Sequence, residues 1–407
     1  MSPVPPAPSA EPAPLEAGTP AYQRANVALF IGGFATFAML YGTQPILPLL
    51  SSEFGVGPAR ASLTVSLGTG ALAAALIPAS ILSDRYGRAR VMNTALALAA
   101  LCALASAFVV GFDQLLVLRA LLGLALAGLP AAAMAWLGEE ISPSAQGRAM
   151  GLYIAGNALG GMSGRFIAAL LTDFFSWRIA LGLLGVLGAV AALAFWRWLP
   201  ASRNFRARPA TPRRVFADVL SIYRDPGLPW LFTVAFLIMG AFVGLYNYLG
   251  FRLQEAPYLL SQSAVGAVFL LYLLGTLAST WAGRLADRIG RRNVLWSLMP
   301  LMAAGLLLTL FEALPVVIIG VGIFTFAYFA VHTAASGWVG RRAQERRALG
   351  SALYLCSYYF GSSVLGALGG LAWSAGGWAG LVAMLTGCTV LALLTALWLR
   401  RLRPALD

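Results

Sequence analysis

The chain runs to 407 residues, of which 59% are hydrophobic and only 11% charged, yet it carries a formal net charge of +13. A soluble globular domain holds about 25% charged residues, so soluble enzymes, disordered chains and disulfide scaffolds are excluded at the outset. All 28 basic residues are arginine, and Cys102, Cys356 and Cys388 sit in apolar stretches without metal-site or disulfide spacing.

In chain order, residues 1–22 hold seven prolines and no arginine. They lack the basic start of a secretory signal and read as a disordered leader. Apolar runs long enough to span a bilayer, at about 20 residues each, then recur with short breaks. They fall near 26–50, 60–82, 91–110, 114–138, 147–171 and 176–197, and again near 229–251, 262–283, 293–312, 314–337, 348–370 and 376–399. The expected fold is an all-α membrane protein of twelve transmembrane helices. An N-terminal six-helix bundle covers 23–197, a linker 198–228, and a C-terminal bundle with a short tail 229–407.

Charge gives an orientation. With the N-terminus in the cytoplasm, 23 of the 28 arginines fall on cytoplasmic segments and three, Arg60, Arg178 and Arg252, on outer ones. The net charge is then +13 inside and −2 outside, in keeping with the positive-inside rule. Both termini are expected in the cytoplasm. The linker, with Arg203, Arg206, Arg208, Arg213, Arg214 and Arg224, reads as a topology anchor facing membrane lipid. Basicity so placed gives no reason to invoke nucleic acid.

The two halves echo each other. Asp84-Arg85-Tyr86-Gly87-Arg88 returns 203 residues later as Asp287-Arg288-Ile289-Gly290-Arg291. Leu152-Tyr153 returns as Leu353-Tyr354, Gly160 as Gly361 and Trp177 as Trp378, each 201 residues on. Two related six-helix units suit a transporter that exposes one central site to either side in turn.

The loop after the second span reads Ser80 to Arg90, and its counterpart after the eighth runs from Gly283 through Asp287, Arg288, Gly290 and Arg291 to Arg292. These loops resemble the signature G-x-x-x-D-R-x-G-R-R/K of the major facilitator superfamily. The second copy matches at every defined position, whereas the first has Ser80 in place of glycine. The glycine permits a tight turn between antiparallel spans, while arginines reach phosphates or neighbouring acids. The resemblance implies a cytoplasmic gate of Asp84, Arg85, Gly87 and Arg88, with Glu139 or Glu140 at the end of span 4 as partner. It implies a second gate of Gly283, Asp287, Arg288, Gly290 and Arg291, although span 10 ends without an acid.

Span 4 carries Arg119 four residues before Gly123, similar to the family's R-x-x-x-G. Span 5 carries Gly156-Asn157-Ala158-Leu159-Gly160-Gly161, which resembles the family's antiporter motif G-P-x-x-G-G with Asn157 in place of proline. Gly156, Gly160 and Gly164 form one helical stripe suited to close helix packing, and Asn157, Gly161 and Arg165 form the stripe beside it.

Arg119 and Arg165 are the charged residues well inside the spans. Intramembrane charge costs at least ~2.5–3.5 kcal/mol and usually marks function. The two would bind an anion or relay a conformational change, the alternative being that they snorkel towards Asp113 or Asp173. His332, the one histidine, has an ordinary pKa near neutrality and shares a face of span 10 with Tyr328 and Thr325. It reads either as a hydrogen-bonded core residue or as a site of proton coupling or substrate contact. Tyr41 and Gln44 on span 1, Tyr246, Asn247 and Tyr248 on span 7, and Tyr358 and Tyr359 on span 11 lie on the spans that line the cavity in that family.

The reading is therefore a secondary active transporter working by alternating access as a monomer in a bacterial inner membrane. The resemblance implies proton-coupled efflux of a small drug- or sugar-like compound, with the proton gradient as energy source and no cofactor. A second reading is an importer or exchanger of a small organic anion. An intramembrane enzyme is disfavoured, since neither HExxH nor a membrane-depth acid pair is present. No Walker motif supports an ATP-driven pump either.

Overall fold

The computed structural model describes residues 13–207 and 212–402. Within them the secondary structure is helical, apart from one isolated bridge between Leu15 and Ile141. The first half has spans 1–6 at Pro20–Glu53, Pro58–Tyr86, Arg88–Ser106, Phe112–Glu140, Pro143–Phe174 and Trp177–Trp198. The second has spans 7, 8 and 10 at Leu228–Gln254, Gln262–Ile289 and Leu314–Arg342, and span 9 at Arg291–Leu308. The last helix, Arg347–Leu399, breaks at Gly376 and Gly377 and so supplies spans 11 (347–375) and 12 (378–399). Ten helices cross a membrane by length and composition. Dividing the last and adding the arginine-headed span 9 gives the expected twelve.

Local chemistry explains where the spans start and stop. Proline stands in the first turn of spans 1, 2, 5, 7 and 10, where its missing N–H is no loss. Ser176 and Ser261 cap spans 6 and 8 by accepting from Ile179 N and Ala264 N, each at 3.2 Å. At the other end, spans 2 and 8 both stop at a glycine with positive φ, Gly87 at 102° and Gly290 at 84°. A side chain at either would be strained, so the tight turn written twice in the sequence is the same turn in space.

Glycine also sets the helix spacing within each half. A Cβ on Gly156, Gly160 or Gly164 would run into the span 1 backbone at Phe30, Phe34 and Ala38. In the second half Gly361 meets the span 7 backbone at Phe236 in the same way. Outward, Leu101, Val190, Leu193, Leu277 and Leu371 stand uncovered by protein. An apolar belt this broad is a lipid-facing surface, and the chain is a multi-pass membrane protein.

Two expectations change. Residues 1–12 of the expected disordered leader lie outside the described residues. Residues 13–22 are ordered: Leu15 N donates to Glu140 O at 2.7 Å, Ser142 N donates to Leu15 O at 3.1 Å, and span 1 already begins at Pro20. Backbone pairing with the end of span 4 outweighs the prolines' preference for irregular chain. The linker, too, has structure of its own. Asn204 N donates to the Glu140 carboxylate at 3.0 Å, and a short helix at Pro212–Tyr223 packs the Tyr223 ring against Phe232 of span 7. Arg208 and Arg403 lie outside the described residues.

Candidate functional site

Span 1 is not a continuous helix. Its first segment stops at Tyr41, a single tighter turn covers Gln44–Ile46, and the helix resumes over Leu47–Glu53. Pro45 supplies no N–H to that turn, and Arg119 of span 4 is seated against it. Arg119 Nε donates to Thr64 O and Nη1 to Met39 O, each at 2.9 Å, while Nη2 donates to Leu40 O. One turn later Gly123 lies against the backbone of Gly68 in span 2. The fork of Arg119 therefore ties spans 1, 2 and 4 together through main-chain carbonyls.

Arg165 of span 5 is equally buried and differently surrounded. Its Nε donates to Gln44 Oε1 at 2.5 Å and its Nη1 to Gly161 O at 2.6 Å. The guanidinium lies 4.0 Å from the ring centre of Tyr41, 4.9 Å from Tyr272 and 5.6 Å from Phe269, close enough for cation–π attraction. Among the described residues neither arginine pairs with a carboxylate. The snorkelling expectation is corrected, because its acids are engaged elsewhere. Asp113 pairs with Arg60 at 2.7 Å, and Asp173 accepts from Ser263 N at 3.0 Å.

From Arg165 a chain of polar groups crosses between the halves. Gln44 Nε2 donates to Asn247 Oδ1 at 2.8 Å. These two residues are 203 positions apart, close to the spacing of the repeat, so the bond joins corresponding stretches of spans 1 and 7. Further inter-half bonds run from Gln262 to Pro45 O (2.7 Å), from Ser363 to Ser66 O (2.7 Å) and from Ser362 to Thr69 (3.3 Å). Among the described residues the hydrogen bonds joining the halves reach from the end away from the arginine-rich loops only to about mid-depth. That far end holds a recess of about 580 Å³, lined in part by Ser51, Asp173, Gln254 and Glu255.

Below this seal, on the second half, lies an aromatic cluster. Tyr328 stacks on Phe242 at 3.8 Å and donates to Tyr358 Oη at 2.7 Å. His332 Nδ1 is 3.0 Å from Tyr354 Oη, and its ring is 4.8 Å from that of Tyr358. His332 and Tyr358 are half-buried, while Tyr359 is buried edge-on behind Tyr358. Tyr246 bonds Thr325 at 2.8 Å and touches Phe269 and Tyr272. Tyr248 bonds Gly366 O at 3.1 Å and packs on Trp373, away from the cluster. Asn157 is half-buried beside Gly33 of span 1. The structure thus gathers Tyr41, Gln44, Arg165 and Asn247 in one place and Tyr246, Tyr328, His332 and Tyr358 next to them, and sets Arg119 apart.

At the arginine-rich end, Arg88 pairs with Asp84 one turn before it and with Glu139 of span 4 at 2.9 Å. Glu140, the other candidate partner, faces the linker through Asn204. Arg85 lies over Tyr86 and is exposed. In the second half Arg291 stands 3.6 Å from Asp287, with Arg288 exposed and open space around Gly283. Span 10 ends in Arg341 and Arg342, and Arg342 reaches Asp225 of the linker at 2.6 Å. That substitute partner was missed in the sequence, as were Phe269, Tyr272, Ser66 and Tyr354. A tyrosine or serine in an apolar span carries no signal separating a site-facing position from a packed one. Among the described residues no group of three or more His, Cys, Asp or Glu side chains is placed to hold a metal ion.

Comparison with known proteins agrees with this arrangement. The sequence pattern of the Major Facilitator Superfamily matches residues 29–258 and 255–407. The chain is 46% identical to the inner membrane transport protein YnfM of Escherichia coli K12, over 95% of this chain and 93% of that one. It is 42% identical to the MFS-type transporter YybF of Bacillus subtilis 168, over 95% and 94%. Among solved structures it superposes with a TM-score of 0.77 on a bacterial homologue of the human lysosomal transporter Spinster, in an inward-facing and unoccupied conformation. That match covers 94% of this chain and 96% of the other at 15% identity.

Proposed function

Since the chain belongs to the major facilitator superfamily of membrane transporters, and not to an enzyme family, we propose that it carries a small organic compound out of the bacterial cytoplasm by alternating access, driven by the proton gradient. The observation that carries this reading is the one-sided seal. The hydrogen bonds between the halves stop at about mid-depth, at Gln44–Asn247 and Thr69–Ser362, and half-buried His332 and Tyr358 lie beyond them. With 21 of the 26 arginines among the described residues at the unsealed end, the positive-inside rule assigns that end to the cytoplasm. The conformation is then inward-facing, with both termini cytoplasmic, in an inner membrane. The superposed Spinster homologue is likewise in an inward-facing conformation.

His332 supports proton coupling as the one histidine of the chain, its Nδ1 on the Tyr354 hydroxyl group and its ring beside that of Tyr358 at the base of the seal. The exported compound meets Arg165, Gln44, Asn247 and the tyrosines around them. The working unit is a monomer whose apolar belt contacts lipid.

Spin labels test the mechanism without a known substrate. In a background with the three native cysteines replaced by alanine, one pair of labels goes on Ser51→Cys and Gln254→Cys at the sealed end. Another goes on Arg148→Cys and Arg284→Cys at the arginine-rich end. Two distance populations at each end, shifting in opposite senses, are expected in proteoliposomes; one fixed distance at both ends sinks the carrier reading. For coupling, His332→Gln is expected to abolish substrate-driven proton movement into a pyranine-loaded lumen, and unchanged proton movement removes His332 from that role.

A further inference from the structure

Around Arg165 some buried groups able to donate a hydrogen bond have nothing to donate to. Among the described residues, Tyr272 Oη and Asn247 Nδ2 are buried and have no hydrogen-bond partner. The orientation of the Asn247 amide is set by the chain it ends. Arg165 has only N–H groups to give, so Gln44 must turn its oxygen to Arg165 and its nitrogen to Asn247. Asn247 then presents its oxygen to Gln44 and leaves its own NH₂ free. Arg165 itself bonds through Nε and Nη1, while Nη2 makes no hydrogen bond among the described residues.

A buried donor without an acceptor is costly, and a buried cation without a counter-ion more so. Here two unpartnered groups able to donate lie beside one guanidinium that pairs with no carboxylate among the described residues, so an acceptor bearing negative charge would complete the site. Arg119 does not share this deficit, because its three nitrogens all reach main-chain carbonyls.

The second half shows why the deficit is single. The residue 201 positions after Arg165 is Gly366, by the spacing that relates Gly160 to Gly361. A Cβ there would sit 3.2 Å from Asn247 Nδ2. Glycine leaves that amide uncovered and adds no second cation. One fixed positive charge flanked by aromatic faces matches one negative charge on an apolar body.

From this geometry we infer that the transported compound is a small organic monocarboxylate, its carboxylate held by Arg165 Nη2 and Asn247 Nδ2 and its apolar body packed against Tyr41 and Tyr272. A guanidinium N–H and an amide N–H together supply one donor for each oxygen of a carboxylate, the first of them charge-assisted, and tyrosine rings offer an apolar face with a hydroxyl group at the edge. This inference rests on the carrier reading above and narrows it to a class of cargo.

The test is a thermal-shift titration of the purified full-length protein with benzoate, phenylacetate and cyclohexanecarboxylate, each beside its neutral amide. At least one acid is expected to stabilise the protein saturably, with half-saturation more than tenfold below that of its amide. Arg165→Gln is expected to abolish the shift, and Asn247→Leu to weaken it several-fold. Should Arg165→Gln fail to fold, Arg165→Lys keeps the charge without the fork and is expected to bind the same acid at least tenfold more weakly. Acids and amides acting alike, no shift from any acid, or an acid-dependent shift untouched by the Arg165 variants overturns the inference. The spin-label distances separate the two failures. If both ends still exchange, the carrier reading stands and only the carboxylate falls.

Discussion

Gly160 of span 5 rests on the backbone of Phe34 in span 1, and 201 residues later Gly361 of span 11 rests on that of Phe236 in span 7. Gly87 and Gly290 turn the chain with the same positive φ. In backbone and helix spacing the two six-span halves are one design used twice. Their charges are distributed otherwise. The first half buries Arg119 and Arg165 and closes Arg88 onto Glu139. The second keeps its described arginines near the ends of its spans, has Gly366 at the position equivalent to Arg165, and ends span 10 in arginines of which Arg342 reaches the linker for an acid. Close packing tolerates only small residues, so it constrains both copies alike. Charge is free to diverge, and a carrier with one asymmetric cargo has reason to place its cation on one side.

The largest effect should come from breaking the first half at Arg119. Arg119→Leu leaves the carbonyls of Met39, Leu40 and Thr64 without their outside donor at the break in span 1. Buried groups stripped of partners cost on the order of 3–5 kcal/mol together. The variant is expected to lose the monodisperse peak in fluorescence-detected size exclusion, with Arg119→Lys recovering it only in part because a point charge cannot replace a three-way fork. A stable, monodisperse Arg119→Leu protein would show that the two halves do not differ in this respect.

Next comes Arg165, whose removal is expected to cost function and not fold. Gln44 loses a donor but keeps Asn247, and the rings of Tyr41 and Tyr272 close over a smaller side chain. Arg165→Gln should therefore keep its size-exclusion peak while transport falls at least tenfold in proteoliposomes, about 1.4 kcal/mol or more by the usual conversion. If Arg165→Gln aggregates as Arg119→Leu is expected to, the division of the two arginines into a clamp and a cargo site fails.

Much of this was legible beforehand, for identifiable reasons. Length and apolarity reveal spans, a positive-φ turn demands glycine, and the period of the helix makes Gly156, Gly160 and Gly164 a stripe. A charge in an apolar run stands out whatever surrounds it, so Arg119 and Arg165 could be singled out together. What told them apart was the break in span 1, produced by Gly42, Thr43 and Pro45, which offers carbonyls to one arginine and not to the other. Tyr272 and Asn247 gain their meaning from residues 100 to 200 positions away, and helical periodicity holds no information about those. The ordered stretch 13–22 was hidden for the same reason. Its partners, Glu140 and Ser142, lie four spans further along the chain.

The smallest effects should lie at the arginine-rich end, where the halves can be compared as ion pairs. Arg88 is largely covered and holds two carboxylates, whereas Arg346–Asp218 is open to solvent. Arg342–Asp225 is covered as well as the Arg88 pairs, but Asp225 is not held by Arg342 alone, since it also accepts from Gly227 N and Leu228 N, each at 2.8 Å, at the start of span 7. Asparagine caps a helix start nearly as well as aspartate, so Asp225→Asn removes the ion pair and keeps the cap. Partly exposed pairs are worth about 0–1 kcal/mol. Glu139→Gln is expected at the top of that range and Asp225→Asn below it. Hydrogen exchange can read both, as faster exchange of residues 84–90 in the first variant and of 225–231 in the second. Asp225→Ala, which loses cap and pair together, should exceed Asp225→Asn. Equal effects of the two would mean that the pair to Arg342, and not the cap, is what Asp225 contributes, and the second half would then hold its gate through the linker as firmly as the first holds its own through span 4.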